Sequence, residues 1–154
     1  MKVQDIMVKD VKTCHPDTNL AEATQIMWAN DVGCLPVING QSEVVGMITD
    51  RDIAIALGTR NRAPSELTVF EVKPNPQELY TCGAADDIRD ALKTMRAQGV
   101  RRLPVVNGGS LKGFLTLDDI ALTAGKPSGV SAAEFADTFK AICQQRTARK
   151  VAAA

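Results

Sequence analysis

Gly33-Cys34-Leu35-Pro36-Val37-Ile38-Asn39, followed by Gly46-Met47-Ile48-Thr49-Asp50-Arg51-Asp52-Ile53, decides the fold of this chain because it is written twice. The second writing is Val100-Arg101-Arg102-Leu103-Pro104-Val105-Val106-Asn107 with Gly113-Phe114-Leu115-Thr116-Leu117-Asp118-Asp119-Ile120. Leu35-Pro36-Val37 aligns with Leu103-Pro104-Val105 in the register that also aligns Thr13-Cys14 with Thr81-Cys82. The glycine-led string then lies one residue closer in the second copy, as a shortened hairpin loop would leave it. A duplication of this length predicts two like units with pseudo-two-fold symmetry that bury their apolar faces together. It also places any site built by one unit in a second copy.

Working outward, Asn39-Gly40 and Asn107-Gly108-Gly109 are turn signals between short β-rich runs. They predict strands over Leu35–Ile38 and Val44–Ile48, and over Leu103–Val106 and Lys112–Leu115. Upstream, Leu20, Ala23, Thr24, Met27 and Trp28 form the inner stripe of a helix from about Asn19 to Asn30, closed by Gly33. Its counterpart runs from about Asp86 to Gln98 and stops at Gly99. Short extended pieces precede both, at Val11–Cys14 and Leu79–Cys82. A helix follows each hairpin, one from Asp50 or Arg51 to Ala56 or Leu57 with Gly58 as its stop, the other over Asp118–Thr123.

The order is therefore β-α-β-β-α twice, an α/β (α+β) fold with repeats at 1–62 and 63–125. Between them, Gly58–Pro64 is polar, Lys73-Pro74-Asn75-Pro76 is extended connector, and a short helix at Ser65–Val72 mirrors the opening Val3–Met7. Residues 126–154 form a C-terminal extension. Its Ser131-Ala132-Ala133-Glu134 capping box opens a helix carrying Phe135, Phe139, Ile142 and Cys143, a stripe to bury on the module or on a second subunit. Arg146–Ala154 reads as a frayed end.

Composition narrows the function. The chain has 154 residues, 45% of them hydrophobic, enough for a core. Its 18 Lys and Arg match 18 Asp and Glu, so no cationic excess makes nucleic acid the default partner. No apolar run approaches the roughly 20 residues that cross a bilayer, and the first residues lack a secretory signal, so the expected compartment is the cytoplasm, away from membranes. Cys14, Cys34, Cys82 and Cys143 form no C-x-x-C pair, which argues against a zinc knuckle or a disulfide scaffold and predicts no metal site. Cys14 and Cys82 hold equivalent positions and His15 is the lone histidine, leaving a metal or thiol sensor as an alternative.

No pairing of nucleophile and base nominates a catalytic centre, and the chain is expected not to be an enzyme. What recurs is Gly-x-x-Thr-x-x-Asp, at Gly46, Thr49 and Asp52 and at Gly113, Thr116 and Asp119, each at a strand end that opens a helix. The glycine permits close approach, the helix N-terminus offers free N–H groups, and a carboxylate accepts from vicinal ribose hydroxyls. Asp50 and Arg51 flank the first copy, and Arg51 can donate to a phosphate. The second copy has Leu117 there but carries Arg101-Arg102. Taken singly, Thr-x-x-Asp is also an ordinary capping box worth about 1 kcal/mol. The duplication with flanking Gly and Arg favours a ligand.

These strings, with Asp5-Ile6-Met7 and Pro16-x-x-x-Leu20-x-x-Ala23, resemble the CBS domain, named for cystathionine β-synthase, in the tandem arrangement called a Bateman module. The resemblance covers about residues 1–125 and extends to small stand-alone bacterial members. It implies clefts for adenosine-type ligands: AMP, ADP or ATP, with S-adenosylmethionine as a further option and no obligatory cofactor. Thr49, Asp52, Thr116 and Asp119 are then the ribose contacts. Thr13, Cys14 and His15 with Leu35 and Pro36 would enclose one adenine, and Thr81 to Gly83 with Leu103 and Pro104 the other. Cys82-Gly83-Ala84 lacks the family's usual Pro, which predicts a second cleft of different preference or lower affinity. The resulting expectation is a regulatory sensor that signals to an unknown effector protein or through its own homodimer. The alternative is an assembly module with vestigial clefts.

Overall fold

A computed structural model describes residues 1–73 and 79–152. It shows a mixed helix and strand fold with two small sheets and a C-terminal helix. In chain order the elements are α1 (Leu20–Ala29), β1 (Cys34–Ile38), β2 (Val44–Thr49), α2 (Asp50–Arg60), α3 (Val69–Val72), β3 (Cys82–Gly83), α4 (Ile88–Gln98), β4 (Arg102–Asn107), β5 (Ser110–Thr116), α5 (Leu117–Ala121) and α6 (Ala132–Ala152), with single 3-10 turns at Val3–Asp5 and Pro64–Glu66. The expected connector residues Pro74, Asn75 and Pro76 lie outside the described residues.

Each hairpin forms where its turn signal predicts. β1 and β2 pair antiparallel from Cys34↔Thr49 to Val37↔Gly46, with an irregularity between Val37 and Ile38. The extended pieces before α1 and α4 are shorter than expected, and the prolines explain it. Cys14 N–H donates to Pro36 O (3.1 Å) and Ile38 N–H to Cys14 O (2.9 Å), a single parallel bridge of Cys14 with Val37. Extending that ladder upstream would need an N–H that Pro36 does not have. Pro104 truncates the equivalent pairing, Cys82↔Val105 and Gly83↔Val106, in the same way.

The described residues group into two compact units that do not follow the linear repeats. One comprises Val11–Leu79 with Gly108–Leu111. In it Leu20 N–H donates to Leu67 O, Val69 N–H to Thr18 O, and Phe70 N–H to Pro16 O, all within 2.8–2.9 Å. Thr68 caps α3, and the Thr68 N–H together with Arg62 pulls the Glu71 carboxyl down to about 2. Leu20, Leu35, Ile48 and Leu67 are fully buried at its centre.

The other unit takes Met1–Asp10 together with Tyr80–Asn107 and everything from Lys112 onward. The same bonds recur there: Ile88 N–H to Met1 O, Val3 N–H to Asp86 O, and Gln4 N–H to Ala84 O. Its core holds Val3, Ile88, Met95, Leu103, Leu115, Ile120 and Ile142, all fully buried.

Several helix ends differ from expectation. Trp28 lies on the outer side of α1 and is 87% exposed, and Thr24 beside it is exposed as well, so the buried stripe is Leu20, Ala23 and Met27. Asp31, at φ +51°, makes the left-handed turn after α1, in place of Gly33. α2 continues through Gly58 to Arg60, because Asn61 at φ +49° provides the left-handed cap beyond it. Gly99 closes α4 as predicted, at φ +65°.

Ser131 Oγ accepts from Glu134 N–H (3.1 Å) at the start of α6, and the helical backbone extends to Ala152 rather than fraying from Arg146. α6 packs on α4 of its own unit through Ile142, Thr138 and Phe135, with Gln145 Nε2 donating to Arg96 O (2.7 Å). Phe139 is 42% exposed and lies outside this stripe.

Candidate functional site

The Thr-x-x-Asp junctions are capping boxes in both units. Thr49 donates to Asp52 Oδ2 through its N–H (3.0 Å) and its Oγ1 (2.8 Å), and Asp52 N–H donates back to Thr49 Oγ1 (3.2 Å). Thr116 and Asp119 repeat the arrangement at 2.7, 2.6 and 3.2 Å. Each box thus commits one carboxylate oxygen to the helix start and leaves the other outside the cap. At Asp52 that second oxygen, Oδ1, lies 3.4 Å from Lys73 Nζ.

Lys73 also lines a cleft of about 440 Å³, within the range of small-molecule sites. Pro16, Val37, Gly46, Val69, Phe70 and Leu79 supply apolar walls. Gly46 contributes open surface: among the described residues only Val37 comes within 4 Å of the position its Cβ would take. The walls are apolar, with the Asp52 carboxylate and the Lys73 ammonium at the edge.

The predicted site residues are distributed unevenly about this cleft. Thr49 and Asp52 stand beside it through Lys73. Leu35 and Leu103 are fully buried core residues, and Pro36 and Pro104 are buried in their strands, so Val37 replaces the Leu-Pro pair as the wall contributed by β1. Thr13 is half-buried, and His15 is exposed with its backbone N–H donating to Thr18 Oγ1 (2.9 Å). Asp50 leaves the cleft altogether: its Oδ1 accepts from Arg51 N–H (2.7 Å), and the residue lines a separate groove of about 620 Å³ with Trp28, Val32 and Leu57. Arg51 is exposed and lines neither.

In the second unit Thr81 is half-buried and Arg102 exposed. Arg101 is taken up by the C-terminal helix rather than by Thr116 and Asp119, with its guanidinium 5.4 Å above the Phe139 ring and 3.9 Å from Cys143 Sγ. In front of Gly113, the counterpart of Gly46, a Cβ would meet Met7 Sδ at 2.5 Å and Val8 O at 2.9 Å, and Val8 and Phe114 exchange backbone hydrogen bonds. The Met7-Val8 segment therefore fills the approach to that glycine.

Sequence reasoning missed Lys73 and Phe70. Their signal was the mirroring of Val3–Met7 by Ser65–Val72, which contains Phe70 and leads directly into Lys73.

Burial pushes the Cys14 thiol up to about 12, with the Glu22 carboxylate adding to the shift, and burial with Asp86 does the same to Cys82. Both are unreactive thiols near neutrality. Among the described residues no three His, Cys, Asp or Glu side chains gather as a metal site would require. Because both thiols titrate higher folded than unfolded, their stabilising effect is complete below the ordinary thiol value of 9.0 and declines as pH rises toward about 12. Thermal melts from pH 8 to 11 are expected to show a shallower alkaline loss in a Cys14→Ala/Cys82→Ala double variant than in the parent. Equal slopes would remove these thiols from the alkaline response.

The family model for the CBS domain matches residues 3–59 and again 69–124. The chain belongs to the CBS domain family. The CBS domain-containing protein YhcV of Bacillus subtilis is 34% identical over 120 residues, which cover 78% of this chain and 83% of YhcV. Among solved structures, Hypoxic Response Protein I with two coordinated zinc ions matches with a TM-score of 0.71 at 32% identity, covering 79% of this chain and 98% of that one. CBSX2 in complex with AMP matches at 0.67 and 25% identity, over 79% of this chain and 94% of CBSX2. The two CBS repeats of the present chain thus share their fold with a protein that holds AMP. Among the described residues no helix is long and apolar enough to cross a membrane.

Proposed function

We propose that this CBS pair is a non-catalytic sensor that binds an adenine nucleotide in the cleft of the unit formed by Val11–Leu79. Occupancy then acts on an effector protein or on the homodimer in the cytoplasm. The observation that carries the reading is Asp52: its Oδ1 points outward to Lys73 at the rim of an apolar cleft, which suits ribose hydroxyls below a stacked base. The AMP complex of CBSX2 supports the ligand class.

The test is isothermal titration of nucleotide-stripped protein with AMP, ADP, ATP and S-adenosylmethionine. Saturable binding of at least one adenylate is the expected result. A second reading, an assembly module, draws on the groove between α1 and α2, where Trp28 stands exposed beside Leu57 and Val32. Absence of heat from every ligand up to millimolar concentration would favour that reading and reject the sensor.

A further inference from the structure

Asp52 and Lys73 form an ion pair that their repeat-mates Asp119 and Met7 cannot make. The correspondence of Lys73 with Met7 rests on the backbone: Lys73 N–H donates to Val69 O and Met7 N–H to Val3 O, both at 2.9 Å, at the end of equivalent turns. One unit thus places an ammonium on a four-carbon stem beside the second carboxylate oxygen of Asp52, and the other places a neutral thioether against Gly113.

The pair is also accessible, with the Lys73 side chain 38% exposed and that of Asp52 23%. Asp52 Oδ2 is already engaged by Thr49, so ribose hydroxyls entering the cleft must take Oδ1, the oxygen that faces Lys73. Sharing that oxygen frees part of the ammonium's hydrogen-bonding capacity, and its stem lets it turn along the cleft edge that it lines with Phe70. The nearest group on a nucleotide that can receive it is the 5′-phosphate.

We propose that Lys73 is the specificity-determining residue of this cleft, moving from Asp52 to the phosphate so that the cleft takes a phosphorylated adenosine in preference to the bare nucleoside. This rests on the nucleotide-binding reading above. Binding then exchanges one charge-assisted contact for another and lets Asp52 turn to the sugar. Adenosine offers no anion, so its ribose competes with Lys73 for Asp52. A ligand bearing a sulfonium at the 5′ position meets the ammonium with like charge.

The experiment is calorimetric titration of AMP and of adenosine into the wild-type protein and into Lys73→Met and Lys73→Arg. Lys73→Met installs the residue that stands at the equivalent place in the other unit, at an exposed position where folding is not at stake. The wild type is expected to prefer AMP over adenosine by about tenfold to a hundredfold, the span of a hydrogen bond to a charged group. Lys73→Met is expected to erase that preference while leaving adenosine affinity within about twofold of wild type or tighter. Lys73→Arg is expected to keep the preference, and AMP affinity but not adenosine affinity should fall as salt is raised. Equal weakening of both ligands by Lys73→Met, or equal affinity of the wild type for AMP and adenosine, would overturn the role of Lys73 while leaving the cleft a nucleoside site. A wild type that takes neither ligand would instead overturn the nucleotide-binding reading, and this proposal with it.

Discussion

Asp52→Ala is expected to weaken adenine-nucleotide binding by about tenfold to a hundredfold, and Asp119→Ala to change it by less than about threefold. The two aspartates make a matched pair because their capping roles are the same. Each accepts from the Thr N–H and Oγ1 three residues earlier, at 3.0 and 2.8 Å for Asp52 and at 2.7 and 2.6 Å for Asp119. Loss of either cap is therefore expected to cost a similar stability, about 1 kcal/mol, and a small fall in Tm shared by both variants serves as the internal control. Their surroundings differ. Asp52 stands with Lys73 at a cleft whose Gly46 presents open surface, whereas Met7 and Val8 fill the approach to Gly113. The affinity loss assigned to Asp52 corresponds to about 1.5–3 kcal/mol for hydrogen bonds to a charged acceptor. Calorimetry on both variants under conditions where each is folded decides the matter. Equal loss of affinity in both would place functional ribose contacts in both repeats, and no loss in either would dissociate the Thr-x-x-Asp junctions from the ligand.

Ile142→Ala is expected to destabilise the protein by about 2–5 kcal/mol, as much as truncating a side chain in the middle of a sheet. That is a large share of the roughly 5–15 kcal/mol of a typical domain. Ile142 is fully buried on α6, in one core with Leu103, Leu115 and Ile120. The helix beyond the repeat pattern is thereby part of the second unit's core. Phe139→Ala, three residues earlier and 42% exposed, is expected to cost well under half as much, with the loss coming from its contacts with Phe135 and the Arg101 guanidinium. Urea denaturation of both variants measures the contrast. A small effect at Ile142 would mean that α6 contributes little to folding and is held only loosely on α4.

The elements most legible in the sequence were those fixed by local chemistry. Asn39-Gly40 and Asn107-Gly108-Gly109 set the hairpins, Gly99 ended α4, and the Thr49 and Thr116 boxes opened α2 and α5, because turn and cap preferences act over only a few residues. Helix ends with competing local options were less legible. Gly58 is a permissive stop that α2 passes through, and Asn61, three residues further on, serves as the cap instead. The expected stripe of α1 is two residues too wide, since Thr24 and Trp28 satisfy the helical period but lie exposed at its edge.

By itself the sequence determined the duplication, the β-α-β-β-α order and the two Thr-x-x-Asp junctions, all of which follow from spacing along the chain. Only the tertiary structure decided which of the duplicated parts are chemically alike. Lys73 and Asp52 are distant in sequence, and they meet because α3 docks on the segment before α1, through the Phe70-to-Pro16 and Val69-to-Thr18 bonds, and against α2. The structure likewise drew Arg101 to Phe139 and laid Met7 against Gly113. Contacts of that kind depend on where a segment docks after the chain has folded back, which no local preference encodes. The physical reason is burial: Leu67 and Val69 on one side, and Val3 on the other, each enter the core that best covers them, and the polar residues attached to those segments follow.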